Sequence, residues 1–310
     1  MDEHEAVKAW SRIVGAARLE PMVTVSNQLW RVIAEDGREW VIKRLPEWAP
    51  GAGPVDEYRV LLHLQHSGVP VAVPMITDDG LIAHNADRLG TGPTDKLPTG
   101  THAYVLIPAL PSDPRLTESP ELAHTIGAAI GRLELALADC PWPVTSFTDD
   151  PAQEILWERF DGMPESLREL ALPYRRRSYE AIVGLPTQRV THGDCNVGNL
   201  LLHDGAVTGF IDLDHLPSGP RIRDLSYYLT SRLSAHLDNG DPAALAAVLP
   251  HYLEGFRAEC PVTDRELAAV VPMMFTVAIG MADWRSRRDG DSAAYQQSLS
   301  TVAWLAAARW

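Results

Sequence analysis

Thr191-His192-Gly193-Asp194-Cys195-Asn196-Val197-Gly198-Asn199-Leu200-Leu201-Leu202, then His203-Asp204-Gly205-Ala206, then Val207-Thr208-Gly209-Phe210-Ile211-Asp212-Leu213-Asp214, is the stretch on which the reading of this chain turns. Asp204-Gly205 lies between two apolar runs and suits a two-residue turn, so a β-hairpin is expected. With His203 opposite Ala206, uniform pairing sets Asn199 opposite Phe210 and Asp212 opposite Val197. Asn199 and Asp212 then become diagonal neighbours on one face, with backbones roughly 7 to 8 Å apart. Two short oxygen-bearing side chains at that separation can share one cation at about 2.1 Å each. Such hard oxygens suit Mg²⁺ better than zinc. Leu200, Leu202, Ile211 and Leu213 fall on the opposite face and can anchor the hairpin in a core. Asp194, five residues before Asn199 in a glycine-punctuated loop, is placed to act as a base. A single Asp in such a loop is more often a turn former. Here a loop Asp, a ligand pair in register and an apolar anchoring face all agree.

Upstream, Val7, Trp10, Val14 and Ala17 recur at helical spacing and predict an amphipathic helix. Met22–Arg44 reads as a hairpin turning at Asp36-Gly37, with Trp40-Val41-Ile42-Lys43 as its second strand. A Pro/Gly-rich loop (46–54) leads to a helix opening at Asp56 and closed by Gly68. Short strands are expected at 71–76, 81–84 and 102–107. Pro108–Pro114 is the expected hinge. Beyond it Leu122, Ile126, Ile130, Leu133 and Leu137 form one helical stripe, and further helices fill 225–237 and 242–310. The fold class is therefore α+β. A small antiparallel β-sheet lobe with one inserted helix spans residues 1–110, and a larger, mainly helical lobe spans 115–310, with the hinge near 107–114.

The 310 residues suffice for a large core, and 45% hydrophobic with 22% charged residues is an ordinary globular balance. A net charge of −14 argues against a nucleic-acid or membrane-surface binder, since both partners select Lys and Arg. No run approaches the roughly 18 to 20 apolar residues of a membrane span. The acidic N-terminus does not resemble a secretory signal. Cys140, Cys195 and Cys260 are too few and too scattered for a disulfide framework or zinc site, so a cytoplasmic location is expected. Lys occurs only at positions 8, 43 and 96, which singles out Lys43 at the end of an apolar strand.

Three motifs then carry a family resemblance. His192-Gly193-Asp194 with Asn199 resembles the H-G-D-x-x-x-x-N loop of aminoglycoside phosphotransferases, choline kinases and related small-molecule kinases. Ile211-Asp212-Leu213-Asp214 resembles their metal-binding segment, and Gly219-Pro220-Arg221-Ile222-Arg223-Asp224-Leu225 the stretch that follows it. The resemblance implies a two-lobed protein-kinase-like fold and transfer of the ATP γ-phosphoryl to a hydroxyl of a small molecule.

It further implies Asp194 as catalytic base, and Asn199 and Asp212 as magnesium ligands against the ATP phosphates. His192 would shape the loop, and Asp224 would tie it to the next helix. Asp214 is open between a second metal contact and a solvated or substrate-facing carboxylate. Lys43 becomes the phosphate-binding lysine and Glu57 its pairing glutamate, against a plain helix-start carboxylate. Adenine would lie along the strand entering Ile107–Leu110, with backbone groups at Ile107 and Ala109 making its hydrogen bonds. No G-x-G-x-x-G loop is present; 25–29 stands in its place. The acceptor is open among antibiotics, amino alcohols and sugars, and oligomeric state is not readable. The region beyond Leu110 carries −10 against −4 before it, which points to a cationic acceptor or simply to solubility. Trp284 beside Asp283 is one place such a cation could sit. Rival readings are a nucleotide-binding pseudokinase, which the intact residue set opposes, and a protein kinase, which the lack of an activation segment after Asp214 opposes.

Overall fold

The computed structural model describes residues 3–22, 28–45, 54–83, 103–113, 117–142 and 150–307. Helix α1 (Glu3–Val7), a 3₁₀ turn (Lys8–Trp10) and α2 (Ser11–Val14) bury Ala6, Val7, Trp10 and Val14. The helix ends sooner than its apolar stripe. Gly15 turns the chain with φ +60°, and Ala17 opens strand β1 (Ala17–Pro21) instead. This strand has no counterpart in the sequence reading, because Arg18, Glu20 and Pro21 suit an edge strand and mask its alternation.

Strands β2 (Gln28–Ala34), β3 (Glu39–Arg44) and β4 (Tyr104–Pro108) complete an antiparallel sheet in the order β1-β2-β3-β4. The Asp36-Gly37 turn forms as expected, with Gly37 N–H donating to Ala34 O at 3.0 Å. Val32, Trp40, Ile42, Tyr104 and Leu106 pack under the N-terminal helices. Each such buried side chain contributes roughly 1.5–3 kcal/mol. Strand alternation therefore turns Lys43, Val105 and Ile107 to the other face of the sheet.

Helix α3 (Pro54–His66) ends at Gly68, whose φ is +77°. Its Val60, Leu61 and Leu64 join the same buried cluster as the later helices rather than the sheet's cluster. The expected strands at 71–76 and 81–84 do not form. Among their described residues only two isolated bridges occur, Val71 with Phe210 and Met75 with Leu106. Pro70 and Pro74 each remove a ladder donor, so no continuous strand can build there. Residues 23–27, 84–102 and 114–116 lie outside the described residues, and with them parts of the phosphate-covering loop, the 89–100 loop and the hinge.

The remainder is helical. Helix α4 (Pro120–Ala138) begins at the Ser119 cap, whose side chain accepts from Leu122 N–H, and buries Ile126, Ile130, Leu133 and Leu137. Helix α5 (Pro151–Gln153) runs into a π-turn (Glu154–Glu158), followed by α6 (Glu165–Ile182). Strands β5 (Thr187–Gln188), β6 (Leu200–His203), β7 (Ala206–Phe210) and β8 (Gly219–Pro220) form two small pairs, β5 with β8 and β6 with β7. Helices α7 (Ile222–Asp238), α8 (Pro242–Glu259), α9 (Asp264–Ala268), α10 (Val270–Asp289) and α11 (Ala293–Ala307) close the chain. Among the described residues no helix is long and apolar enough to cross a membrane.

Candidate active site

The β6–β7 hairpin forms at Asp204-Gly205, but its register changes partway. His203 pairs Ala206 and Leu202 pairs Val207, whereas Leu201 pairs Gly209 and Leu200 pairs Phe210. Thr208 is the extra residue of this β-bulge. Uniform pairing is thus corrected by one place at the open end: Ile211 N–H donates to Asn199 O at 3.0 Å, so Asn199 faces Ile211 rather than Phe210. The same shift puts Phe210 in the core, fully buried, and leaves Ile211 half-buried; Leu200, Leu202 and Leu213 anchor the hairpin as expected. Tertiary contacts set the bulge. Thr208 Oγ1 donates to Pro111 O at 2.6 Å, and a Cβ on Gly209 would stand 2.2 Å from Leu110 Cδ1.

The segment entering the hinge is therefore strapped to the hairpin. Asp113 N–H donates to Leu202 O at 2.6 Å, and the Asp113 carboxylate accepts from Asp204 N–H and bonds His203 Nδ1. Ala109 N–H is committed to Glu39 O at 3.2 Å, and Ile107 lies opposite Val41 in the same ladder. Strand alternation instead turns the backbone of Pro108 and Leu110 away from β3, and Ile107 offers the site its side-chain face.

The 192–194 loop is fixed from below. Asp224, fully buried at the start of α7, accepts from His192 N–H at 2.7 Å and Gly193 N–H at 3.0 Å. Gly193 has φ +82°, and a Cβ there would lie 2.5 Å from Pro217 Cδ, so the loop requires glycine. His192 is buried and bridges loop to hairpin: Nε2 donates to Ile211 O at 3.1 Å, while Nδ1 accepts from Asp194 N–H at 3.4 Å. The Asp194 carboxylate accepts from Asn196 Nδ2 at 3.2 Å and from Asn199 Nδ2 at 3.0 Å. Tyr227, one helical turn past Asp224, also hydrogen-bonds Asp194; burial foremost, then that carboxylate, pushes its hydroxyl well above the usual range. Arg223 donates to Gly193 O at 2.8 Å and lies 5.2 Å from the Tyr227 ring. The sequence reading assigns no role to Tyr227 or Arg223, although Tyr227 follows Asp224 at i, i+3 and follows Arg223 at i, i+4, which places all three on one side of α7.

Lys43 reaches the same end of the hairpin. The residue is 6% exposed, and its ammonium forms ion pairs with Asp212 and with Asp214, the latter at 3.3 Å. Burial opposes its charge, but Asp214 and Asp212 outweigh burial and hold the ammonium well above its usual range. Asp212 itself sits in the left-handed region, φ +63°. Asp214 also meets His215 Nδ1 at 3.0 Å. Burial raises the Asp214 carboxyl, yet His215 and Lys43 hold it below the ordinary range. The expected Lys43–Glu57 ion pair is absent among the described residues: the two aspartates satisfy the ammonium, and Glu57 feels Lys43 only as a nearby charge. Burial first, against that charge, pushes Glu57 up to about 7.

Two bystanders resolve simply. Cys195 is fully buried beside Asp194, and burial, then the Asp224 charge, raises its thiol well above normal. Cys140 and Cys260 are also free, buried and raised by burial. Trp284 and Asp283 hold the protein's own cations. Arg288 stacks 4.1 Å from the Trp284 ring, and Arg159 and Arg287 pair with Asp283. They are therefore not a ready cation pocket.

Residues 23–264 match the family model described as "Phosphotransferase enzyme family". The chain belongs to this family. Phosphotransferase relatives include the protein named serine/threonine protein kinase RdoA of Salmonella typhimurium LT2, 25% identical over 293 residues, covering 89% of this chain and 79% of that one. Stress response kinase A of Escherichia coli K12 is 23% identical over 286 residues with the same coverage. Among solved structures, a microcompartment-associated aminopropanol kinase aligns with TM-score 0.73 and 15% identity, covering 97% of this chain and 94% of that one. Amicoumacin kinase hAmiN, solved in complex with AMP-PNP, Ca²⁺ and Ami, aligns at 0.64 and 17% identity, covering 93% of this chain and 86% of that one. The fold is the two-lobed kinase-like α+β fold of these structures, and the chain is a member of the phosphotransferase enzyme family.

Proposed function

We propose that the protein moves the γ-phosphoryl of ATP, with Mg²⁺, onto a hydroxyl of a small molecule by direct in-line transfer. The observation that carries this is the meeting of three groups at the open end of one hairpin: the Asp194 carboxylate oriented by Asn196 and Asn199, the Asn199 amide itself, and the Lys43–Asp212–Asp214 cluster. The donor set fits a hard cation. Asn199 commits its Nδ2 to Asp194, which leaves its Oδ1, and with the Asp212 carboxylate it would offer a cation hard oxygen donors. A bound Mg²⁺ would neutralise phosphate charge. Asp194 accepts the proton of the attacking hydroxyl, Lys43 supplies fixed positive charge for the phosphates, and His192 and Asp224 hold the loop in place. Asp214, locked between Lys43 and His215, orients the lysine. The base of ATP rests along the Ile107 face and the Pro108–Leu110 backbone. The division into a nucleotide lobe through about residue 110 and an acceptor lobe from 115 is part of this proposal. So is a cytoplasmic site of action, supported by three free thiols.

An ADP-release screen over hydroxyl compounds, with antibiotics, amino alcohols and sugars as separate arms, tests the reading. Acceptor-dependent ADP release in one arm is the expected result, and silence in all arms with bound ATP would refute it. A second reading takes a protein serine or threonine as acceptor; the name of the Salmonella relative favours it, so a protein-substrate arm belongs in the same screen.

The acceptor is further proposed to carry an amine. The acidity beyond Leu110 motivates this, while Arg223, bonded to the loop beside Asp194, keeps that positive charge away from the reacting hydroxyl. Its KM should rise with salt as the Debye length shrinks from about 10 Å at 0.1 M towards about 3 Å at 1 M. A flat salt profile, or a neutral or anionic best acceptor, rejects the amine and leaves phosphoryl transfer standing.

A further inference from the structure

Beneath the 192–194 loop lies a carboxyl group that the proposed chemistry does not use. Glu134 belongs to α4 and is fully buried. One of its oxygens, Oε2, accepts from Gln188 Nε2, an amide nitrogen that also donates to Val190 O at 2.9 Å. The other, Oε1, is buried and finds no donor to accept from. Its neighbour is Asp224, whose two oxygens already take the backbone N–H groups of His192 and Gly193. Two ionised carboxylates cannot hydrogen-bond each other. A carboxylic acid and a carboxylate can, with the acid O–H donating.

The surrounding charges decide which of the two holds the proton. Asp224 lies at the start of α7 with a backbone donor on each oxygen, which favours its ionised form. Glu134 has one neutral amide. The nearby cation, Arg221, is held by Glu266 in a bidentate pair at 2.7 and 3.0 Å. The remaining titratable groups facing Glu134 are the Cys260 thiol at the end of α8 and Cys195 in the loop, and burial raises both, keeping them neutral. Burial foremost, then the charge of Asp224, pushes the Glu134 carboxyl well above its ordinary 4.5.

We propose that Glu134 is a positioning residue: as a buried carboxylic acid it donates from Oε1 to Asp224, and through Asp224 it holds the loop that presents Asp194. The chain of contacts runs from α4 through Glu134 and Asp224 to the backbone of His192 and Gly193, so a proton in the core sets the posture of the proposed base. This rests on the reading of 192–194 as the catalytic loop.

Glutamine matches the acid form at every contact, with a carbonyl for Gln188 and an N–H for Asp224. Alanine matches neither and leaves a cavity. Glu134→Ala is expected to lower kcat about tenfold, the scale of an unmade buried hydrogen bond, with ATP affinity by calorimetry unchanged, and Glu134→Gln to restore most of kcat. The linkage sign adds a readout independent of turnover. A carboxyl whose folded pKa is raised contributes stability that is fully present below its unfolded value and is lost as pH rises through the folded value. Wild-type Tm and kcat should therefore both decline with rising pH through that range, and Glu134→Gln should lack this decline. Wild-type kcat in Glu134→Ala overturns the proposal. So does a Glu134→Gln protein whose Tm–pH curve coincides with wild type, or a wild-type curve with no such decline. The Tm arm does not involve Asp194 chemistry, so a failed catalytic assignment would show in the Asp194 variants and not here.

Discussion

Asp194→Ala should bind ATP normally and turn over about 10² to 10⁴ times more slowly, the usual range for a lost general base. The geometry says why binding survives. Asp194 touches Asn196, Asn199 and Tyr227, and the loop beneath it is held by Asp224 through backbone groups that the substitution leaves alone. The alanine variant does release Asn199 Nδ2, which could disturb the neighbouring oxygen ligands. Asp194→Asn keeps the shape and one amide acceptor, and serves as the companion. Both variants should lose turnover, and calorimetry with Mg·ATP should show retained binding at least in the asparagine form. Near-normal turnover in either purified variant would remove Asp194 from the mechanism.

The second large effect is expected at Asp212. Its backbone is left-handed, which asparagine tolerates and alanine does not, so Asp212→Asn separates loss of charge from backbone strain. The substitution removes one of two carboxylates from the Lys43 ammonium and the anionic oxygen from the proposed cation site. Affinity for Mg·ATP should fall on the order of 10²-fold, the scale of losing one partner of a desolvated charge contact. Binding of ATP without divalent metal should change far less, because the lost term is the metal's. Calorimetric titration with and without Mg²⁺ checks this, and wild-type Mg·ATP affinity in Asp212→Asn would sink the ligand assignment. The fold should hold, since Asp214 still faces Lys43.

What the sequence revealed and what it hid divide along local and tertiary lines. The turns at Asp36-Gly37 and Asp204-Gly205 were legible because the dipeptide alone determines them. So was the α4 stripe, where Ile126, Ile130, Leu133 and Leu137 are all buried. The bulge at Thr208 was not legible, since its causes, Pro111 O and the Leu110 side chain, are nearly a hundred residues away. Lys43 was legible as a lone lysine closing an apolar strand. Its partner was misjudged because Asp212, Asp214 and Glu57 all lie near it, and spacing cannot rank three carboxylates. Glu134 could have been found: it sits inside the apolar stripe, four residues after Ile130, where an acidic side chain has no reason to be unless something below needs it.

The three thiols give the molecule a built-in stopwatch. A thiol reagent attacks the thiolate, and Cys140, Cys195 and Cys260 are each shielded from solvent and from ionisation. Native protein is therefore slow to label, and every labelling event counts an excursion of its neighbourhood into water. Cys195 adjoins Asp194 in the loop, Cys260 closes α8, and Cys140 follows α4. Resolved by peptide, their modification rates time three separate regions of one chain, and the Cys195 rate clocks the breathing of the loop itself.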